Sequence, residues 1–331
     1  MRSVPARGDP FVAIPVERSD RIVVAIGGNA LIGHSSRGTI GEQRETTRLT
    51  MHAVAERIAA GYSIVLTHGN GPVVGNIVIR SEAAAHQIPP MPLDICVADS
   101  CGGIGYMIQQ SLFGELRALQ VDRPVVTLIN QVEVDRNDPA FRKPSKPIGP
   151  FYRADQVEAI RKEKSWEMAE DSGRGFRRVV PSPKPVAIIE ADVVRSLVDS
   201  GAVVIAVGGG GIPVRRMEDG RLEGVEAVID KDRAALLLAR AVGARVFVIL
   251  TAVANVAIRF GRPDQLDLDR VTLSEAKRYL AEGEFPAGSM GPKIEAAIAF
   301  LEEGGKGVLV TSVHRLGEGI EGRAGTWILP G

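Results

Sequence analysis

Three short apolar runs in this chain are each followed at once by a glycine-rich loop, and no other feature constrains the fold as strongly. The loops are GGNA (Gly27–Ala30), HGNGP (His68–Pro72) and GGGGIP (Gly208–Pro213). The runs before them, RIVVAI, SIVL and AVVIAV, have the length and the β-branched content of buried strands. Helical patterns follow the first two loops. This alternation predicts a mostly parallel sheet that is covered by helices on both faces.

The same rhythm continues along most of the chain. It predicts further helices and strands: helices over 41–60, 72–87, 103–119, 191–200, 232–241, 273–281 and 292–303, and strands over 124–129, 187–189, 245–250, 307–311 and 326–329. The rhythm breaks between about 133 and 184, a proline-rich and charged stretch with one helical pattern at 154–170. We interpret 133–184 as an insertion, a lid or a projecting subdomain. It lies within one domain over 21–331, preceded by a loose extension over 1–20.

Charge and composition exclude several classes of protein. Lysine plus arginine and aspartate plus glutamate both number 40, which excludes a globally basic nucleic-acid-binding protein and attachment to a membrane by bulk charge. No apolar run near the start has the length of a signal peptide, and no run reaches the length of a transmembrane helix. Two cysteines cannot form a disulfide framework. We therefore expect a cytoplasmic protein with small-molecule partners.

The glycine-rich loops are candidates for binding an anion. Glycine lets a ligand approach the backbone amides closely, and a strand–loop–helix unit directs amides and a helix dipole at one point. One such loop alone is more simply a tight turn, but three of them favour binding of a phosphate or carboxylate. The sequences GxxxxGK[ST], GxGxxG after the first strand, HRD, DFG and HExxH are absent. The five histidines have no metal-binding spacing, so we predict no metal ligands.

Lysine is rare enough in this chain that its positions are informative. Nine of the 40 basic residues are lysines, and Lys146, Lys231 and Lys293 occupy Gly/Pro-rich turns. Lys231 is followed by Asp232, and Lys293 is placed in the first turn of a predicted helix, where a cation opposes the helix dipole. Each alone is more simply a surface charge, but together they favour the neutralisation of a transferred phosphoryl group. Lys146, in the insertion, could reach over a bound substrate.

Several longer motifs are similar to those of one enzyme family. They are AIGGNAL (25–31), HGNGP (68–72), PLD (92–94), IGY (104–106), QVEVDRNDPAF (131–141), KPIGPFY (146–152), RRVVPSP (177–183), GGGGIPV (208–214), GVEAVIDKD (224–232) and GSMGPK (288–293). With them the chain resembles the carbamate kinases, of the amino-acid kinase family, from about residue 21 to residue 327. KPIGPFY in an insertion distinguishes carbamate kinases from sister kinases of acylglutamate, aspartate or uridylate.

The resemblance implies a fold and a reaction. The fold is a three-layer α/β/α sandwich with a mainly parallel central sheet and a small projecting subdomain, usually in a homodimer. The reaction is reversible phosphoryl transfer between ATP and carbamate, with ATP or ADP bound together with magnesium. No general base is implied, because carbamate already carries an anionic oxygen nucleophile.

The resemblance also implies roles for particular residues. Lys146, Lys231, Asp232 and Lys293 would be catalytic, with Asp232 holding the lysines. Gly27, Gly28 and Asn29 would hold the phosphoryl group, and Gly208, Gly209, Gly210 and Gly211 would line the nucleotide side. Gly69, Asn70 and Gly71 would face carbamate.

Two positions depart from the family pattern. Cys101 stands where the family commonly has glutamine, on the expected substrate side, and Ala254 stands where it often has aspartate, on the expected nucleotide side. Two alternatives therefore remain at this point. One is the same fold with another small carboxylate or carbamate-like acceptor, and the other is a non-catalytic nucleotide sensor. The complete set of lysines argues against the sensor.

Overall fold

The fold is described by a computed structural model that covers residues 16–28, 38–171, 173–286 and 290–331. The strands are β1 (Arg21–Ile26), β2 (Ser63–His68), β3 (Val125–Thr127), β4 (Gln131–Val134), β5 (Lys146–Tyr152), β6 (Met168–Glu170), β7 (Phe176–Val180), β8 (Pro185–Ile188), β9 (Val203–Ile205), β10 (Ile212–Arg216), β11 (Leu222–Gly224), β12 (Val246–Leu250), β13 (Val256–Ile258), β14 (Leu266–Leu268), β15 (Arg270–Thr272), β16 (Gly307–Thr311) and β17 (Thr326–Leu329). The helices are α1 (Ile40–Ala59), α2 (Gly71–Ala83), α3 (Leu93–Ala118), α4 (Ala154–Lys164), α5 (Ala191–Asp199), α6 (Lys231–Ala241), α7 (Leu273–Ala281), α8 (Gly291–Glu302) and α9 (Leu316–Ile320).

An eight-stranded sheet runs through the middle of the molecule. Its strand order is β15-β17-β16-β12-β1-β2-β9-β3. Six neighbouring strands, from β16 to β3, are parallel, and β17 pairs antiparallel with β16. The predicted parallel sheet is therefore confirmed, and its β1, β2 and β9 are adjacent strands.

Helices cover both faces of this sheet. Alternate residues of β1 point to opposite faces: Ile22 and Val24 pack with α1, α3 and α9, whereas Val23 and Ala25 pack with α5, α6 and α8. All four side chains are fully buried. A strand buried on both faces reads as a continuous apolar run, which is why RIVVAI was recognisable as one. The three-layer architecture is confirmed.

A smaller unit, which we call the subdomain, comprises residues 146–180. It consists of the sheet β5-β7-β6 and helix α4. Ile148, Trp166 and Met168 form a buried cluster with Val74 and Val97 of α2 and α3. The subdomain is thus seated on α2, next to the loop that follows β2. Separately, β4 and β8 pair with β10 and β11 in a four-stranded sheet.

Some predicted elements need correction. The predicted helix over 154–170 ends at Lys164, because Ser165 adopts a left-handed conformation (φ 53°) and the chain continues as β6. The predicted helix over 103–119 begins ten residues earlier, at Leu93, and so runs through both cysteines. The predicted N-terminal extension falls mostly outside the described residues, although Val16 is buried in the core. In the part of the chain that the structure describes, no helix combines the length and apolarity needed to span a bilayer.

Candidate active site

The three glycine-rich loops meet at one edge of the central sheet. They follow β1, β2 and β9, which are adjacent and parallel, so their carboxyl ends point the same way. The Gly27 amide donates to Leu250 O (3.1 Å), and the Gly69 amide donates to Ile26 O (3.1 Å). These hydrogen bonds continue the sheet pairing by one residue and fix the position of the first residue of each loop. Open α/β sheets bind ligands at this edge.

Lys231 lies against the second loop, which adjoins the first. A Cβ atom placed on Gly69 would lie 3.0 Å from Cδ of Lys231 and 3.9 Å from the amide nitrogen of Gly28. A side chain at residue 69 would therefore require the Lys231 stem to shift by a few tenths of an ångström. The aliphatic part of Lys231 thus packs closely on Gly69.

One buried carboxylate holds two of the predicted lysines. Asp232 Oδ1 accepts a hydrogen bond from Lys231 Nζ, and Asp232 Oδ2 accepts one from Lys293 Nζ at 3.3 Å. The Asp232 side chain is only 3% exposed. Lys231 is the first residue of α6 and Lys293 the third of α8, so Asp232 joins the N-termini of two helices. The predicted grouping of these three residues is what the structure contains.

Burial and charge act against each other in this cluster. Burial lowers the pKa of Lys231, although the negative charge of Asp232 favours its ammonium form. Burial alone would raise the pKa of Asp232, but the charges of Lys231 and Lys293 outweigh it and the pKa is lowered. Two cations share one anion, so the cluster keeps an excess positive charge. Such a site attracts an anion.

Lys146 reaches the same region from the subdomain. It is the first residue of β5, and its Nζ donates to Asp230 Oδ2 at 2.5 Å. Asp230 immediately precedes Lys231, so the third predicted lysine lies beside the other two. The Lys146 side chain is one quarter exposed, more than Lys231 or Lys293, and it remains accessible to a ligand.

The third glycine loop is closely packed by protein atoms. A Cβ atom on Gly208 would lie 2.3 Å from His68 Nε2, one on Gly209 2.4 Å from Asn70 Nδ2, and one on Gly210 2.5 Å from Ile229 O. Gly209 and Gly210 also have positive φ, as does Gly211. Close packing and backbone conformation both require glycine, so the loop has a structural reason for its composition beside any contact with a nucleotide.

A strained residue precedes this loop. Val207 is a β-branched residue with φ +55°, a conformation that costs about 1–3 kcal/mol. Its amide donates to Asn130 Oδ1 (2.9 Å), and its carbonyl accepts from Thr67 Oγ1 (3.0 Å). Asn130 and Thr67 are both buried. Sequence analysis missed them because their partner lies 77 and 140 residues away.

Two buried residues beneath the loops, His68 and Cys101, are uncharged at neutral pH. Burial lowers the pKa of His68 to about 4, so its imidazole is neutral at pH 7. Burial raises the pKa of Cys101 to about 12, and its Sγ donates to Gly208 O. Cys101 is 3% exposed and supports the loop from below. It does not form the wall of an altered acceptor pocket.

The remaining predicted site residues lie around the second loop. The Asn70 side-chain amide donates to Ser100 Oγ at 2.8 Å, so Asn70 ties this loop to α3. A Cβ on Gly71 would lie 3.9 Å from Pro147 O of the subdomain. Asn29 lies outside the described residues. A cavity of about 330 Å³ between α1, α2 and α3 is lined by none of the predicted site residues.

Comparisons with known proteins identify the family of this chain. The sequence profile of the amino acid kinase family matches residues 20–312. The carbamate kinase of Thermococcus kodakarensis is 49% identical over 312 residues, covering 93% of this chain and 99% of that protein. The carbamate kinase-like protein YahI of Escherichia coli is 48% identical and covers 93% and 98%.

Solved structures show the same relationship. Carbamate kinase from Giardia lamblia bound to citric acid superposes with a TM-score of 0.90 at 38% identity, covering 95% of this chain and all of that one. The same enzyme bound to AMP-PNP gives a TM-score of 0.86 at 39% identity, with the same coverage. This chain belongs to the amino acid kinase family and, within it, to the carbamate kinases.

Proposed function

We propose that this protein transfers a phosphoryl group reversibly between ATP and carbamate, running from carbamoyl phosphate and ADP towards ATP. The observation that carries the proposal is the Lys231–Asp232–Lys293 cluster, in which one buried carboxylate holds two ammonium groups beside the glycine loops. Its relatives over nearly the full chain are named as carbamate kinases. The Giardia enzyme's complex with AMP-PNP supports a nucleotide as one substrate.

Each part of the site has a role in this proposal. The loop that begins at Gly27 and Gly28 holds the phosphoryl group in transfer, with the Gly28 amide as the donor, because the Gly27 amide is already bonded to Leu250 O. Gly69, Asn70 and Gly71 face carbamate. Lys231 and Lys293 neutralise the charge that is shared between the nucleotide and the transferred group. The Gly208–Gly211 loop lies on the nucleotide side. Lys146 comes from the subdomain and binds the carbamoyl phosphate.

The reaction proceeds without a general base from the protein. The anionic oxygen of carbamate attacks the γ-phosphorus of ATP and displaces ADP. In reverse, a β-phosphate oxygen of ADP attacks the phosphorus of carbamoyl phosphate and displaces carbamate. His68 is the histidine among the loops, and it is buried and neutral. The protein therefore acts by positioning and by charge stabilisation.

Magnesium is expected to accompany the nucleotide. Among the described residues no group of three or more His, Cys, Asp or Glu side chains is placed to hold a metal. The carboxylates of Asp230 and Asp232 are already paired with lysines. Phosphate oxygens of ATP or ADP commonly complete magnesium sites, and we propose that they are the main ligands here.

Charge-deleting variants test the roles of the lysines. We expect Lys231→Met and Lys293→Met each to lower kcat for ATP formation about 100-fold or more, by analogy with the loss of one donor to a developing anion. Methionine preserves most of the side-chain volume, so folding should be retained. Initial rates with ADP, magnesium and carbamoyl phosphate give the measurement. Lys277→Met, which removes a surface partner of Glu302, is the matched control.

Other outcomes would favour the alternatives. ADP binding without turnover by the wild-type protein would favour a nucleotide sensor. ATP formation from another acyl phosphate at a higher kcat/KM would favour a different acceptor. Full activity in the Lys231 and Lys293 variants would contradict the proposed roles.

We also propose that the protein is a homodimer, joined through α3. Ile95, Tyr106 and Phe113 are about half exposed, and their spacing places them on one side of the helix. The neighbouring β3 is an edge strand of the central sheet. Light scattering after gel filtration should give about twice the chain mass, and Tyr106→Glu with Phe113→Glu should give monomers. A monomeric wild type would overturn this.

The cytoplasmic location remains a prediction. It rests on the two cysteines, which are unpaired and would stay reduced inside a cell. Fractionation of cells that express the protein would test it, and recovery outside the cytoplasm would contradict it.

A further inference from the structure

Asp230 has a position in the site that sequence analysis did not assign. Its two oxygens have separate partners. Oδ1 accepts from the amides of Asp232 (2.9 Å) and Arg233 (3.4 Å), which makes Asp230 the N-cap of α6. Oδ2 accepts from Lys146 Nζ at 2.5 Å. One carboxylate thus joins the first turn of α6 to the first residue of β5 in the subdomain.

The carboxylate is buried enough for this contact to matter. Its side chain is 16% exposed, and that of Lys146 is 25% exposed. Ion pairs at an open surface contribute little, but a pair that is mostly shielded from water has a stronger and more directional attraction. Burial disfavours the charged form of Asp230, yet the charges of Lys146 and Lys231 outweigh it and lower the pKa. Asp230 is therefore an anion at neutral pH.

The charges around Asp230 alternate in sign. Lys146 pairs with Asp230, and Lys231 and Lys293 pair with Asp232. Within this group of described residues, three cations and two carboxylates leave one excess positive charge. Each lysine is held by a carboxylate, but the set is not neutralised, so it can still bind a phosphoryl anion.

A lysine needs such a partner to be placed accurately. Its side chain has four rotatable bonds, and fixing it in one conformation costs rotamer entropy. Lys146 also belongs to a different unit from the other two lysines, so its position depends on how the subdomain sits. A fixed carboxylate at the N-terminus of α6 restricts both the rotamers of the Lys146 side chain and the position of the subdomain that carries it.

We propose that Asp230 is a positioning residue that holds Lys146 in register with the lysines of α6 and α8 at the site of phosphoryl transfer. The inference rests on the proposed function and extends it. Asp230 does not touch the transferred group; it acts through Lys146 and, as N-cap, through the start of α6. Loss of its charge with the cap retained should therefore affect carbamoyl phosphate, which Lys146 binds, more than ADP.

The Asp230→Asn variant tests this. Asparagine caps a helix as well as aspartate, so α6 should keep its N-terminus while the negative charge is lost. We expect kcat/KM for carbamoyl phosphate to fall about tenfold or more, KM for ADP to stay within about twofold, and Tm to be unchanged. The control is Asp138→Asn, since Asp138 caps the short 3₁₀ turn Pro139–Phe141 outside the site.

A second measurement does not depend on turnover. Limited acetylation with acetic anhydride, read by mass spectrometry, reports the reactivity of each lysine. We expect Lys146 to be acetylated several-fold faster in Asp230→Asn than in the wild type, because its ammonium group is no longer held. Lys277, which pairs with Glu302 at the surface, should react equally in both proteins.

The two measurements separate failure of the inference from failure of the proposed function. Unchanged Lys146 acetylation in Asp230→Asn overturns the positioning role whether or not the enzyme is active. A loss of activity that is equal for both substrates and accompanied by a lower Tm shows a structural role only, and also overturns it. A wild-type protein that makes no ATP from carbamoyl phosphate contradicts the proposed function itself, whatever the acetylation result.

Discussion

At the scale of single residues, the site depends on pairing each buried charge. Asp232 serves two lysines, and Asp230 serves one lysine and a helix terminus. Removing the buried carboxylate of Asp232 would leave both Lys231 and Lys293 poorly compensated, which costs more than the pairs contribute. The cluster is therefore most sensitive to a change at Asp232. Its charges nevertheless stay available to a ligand because cations exceed anions.

His68 should make the free energy of unfolding depend on pH, and this dependence can be measured without an activity assay. Its pKa is about 4 in the folded protein because of burial, against 6.5 for an ordinary histidine. Protonation therefore favours the unfolded chain. The free energy of unfolding should fall as the pH drops from 6.5 towards 4, by about 3 kcal/mol, and His68 should add nothing above pH 7.

Urea unfolding at pH 7, 5.5 and 4 checks this prediction. The free energy of unfolding should change less with pH in His68→Gln than in the wild type. The control variant, His86→Gln, changes an exposed histidine and should follow the wild-type slope. Identical slopes for the wild type and His68→Gln would mean that His68 is not the group responsible.

Residues with local signals were predictable from the sequence, and residues with distant partners were not. Lys231 next to Asp232, and Lys293 behind a helix-starting proline, could be singled out from their immediate neighbours. Asp230 could be recognised only once Lys146, 84 positions away, was placed beside it. Asn130 and Thr67 hold Val207 in the same long-range manner.

At the scale of elements, the contact between α2 and β5 sets the position of the subdomain. A Cβ on Gly75 would lie 2.0 Å from the amide nitrogen of Gly149, so the two backbones touch. Gly149 itself has φ +74°. Glu82 of α2 also pairs with Lys164 of α4 (3.0 Å) and Arg178 of β7 (3.9 Å). These contacts place β5, and with it Lys146.

A single methyl group at this contact should disturb substrate binding at a distance. We expect Gly75→Ala to lower the free energy of unfolding by about 1–3 kcal/mol through overpacking. It should also raise KM for carbamoyl phosphate, because β5 must move away from α2. Denaturant unfolding and initial rates give the two readouts.

Gly41→Ala provides the control for this prediction. Gly41 is a helical glycine of α1 with no atom within 4 Å of an added Cβ. Alanine there should leave stability unchanged or raise it by up to about 1 kcal/mol. If Gly75→Ala behaved like Gly41→Ala, the close α2–β5 contact would not be the feature that seats the subdomain.

Strands that are buried along their length were located accurately by their continuous apolar sequences. β1, β16 and β17 match their predicted bounds. Of the strands in the subdomain and the four-stranded sheet, β8 was predicted in part, as 187–189, and the others were missed. Two of the missed strands contain a proline, Pro147 in β5 and Pro213 in β10. Proline normally argues against a strand, and only tertiary pairing shows these segments to be extended.

At the scale of the whole molecule, the parallel sheet brings distant loops together. Residues 27, 69 and 208 become neighbours because β1, β2 and β9 are adjacent strands that end at the same edge. α6 and α8 then bring Lys231 and Lys293 to that edge, and the subdomain brings Lys146. The alternation of strands and helices predicted that these loops lie at one edge of the sheet. The position of the subdomain on α2 could be seen only in the structure.

The central claim is that this site transfers a phosphoryl group between carbamoyl phosphate and ADP. A phosphorus-31 NMR time course of the purified protein with carbamoyl phosphate, acetyl phosphate, ADP and magnesium tests it most directly. We predict that ATP appears as carbamoyl phosphate disappears, one for one and faster than its spontaneous decay, while acetyl phosphate persists. Lys231→Met should show only the spontaneous decay. Absence of ATP with the wild-type protein, or preferential consumption of acetyl phosphate, would contradict the account.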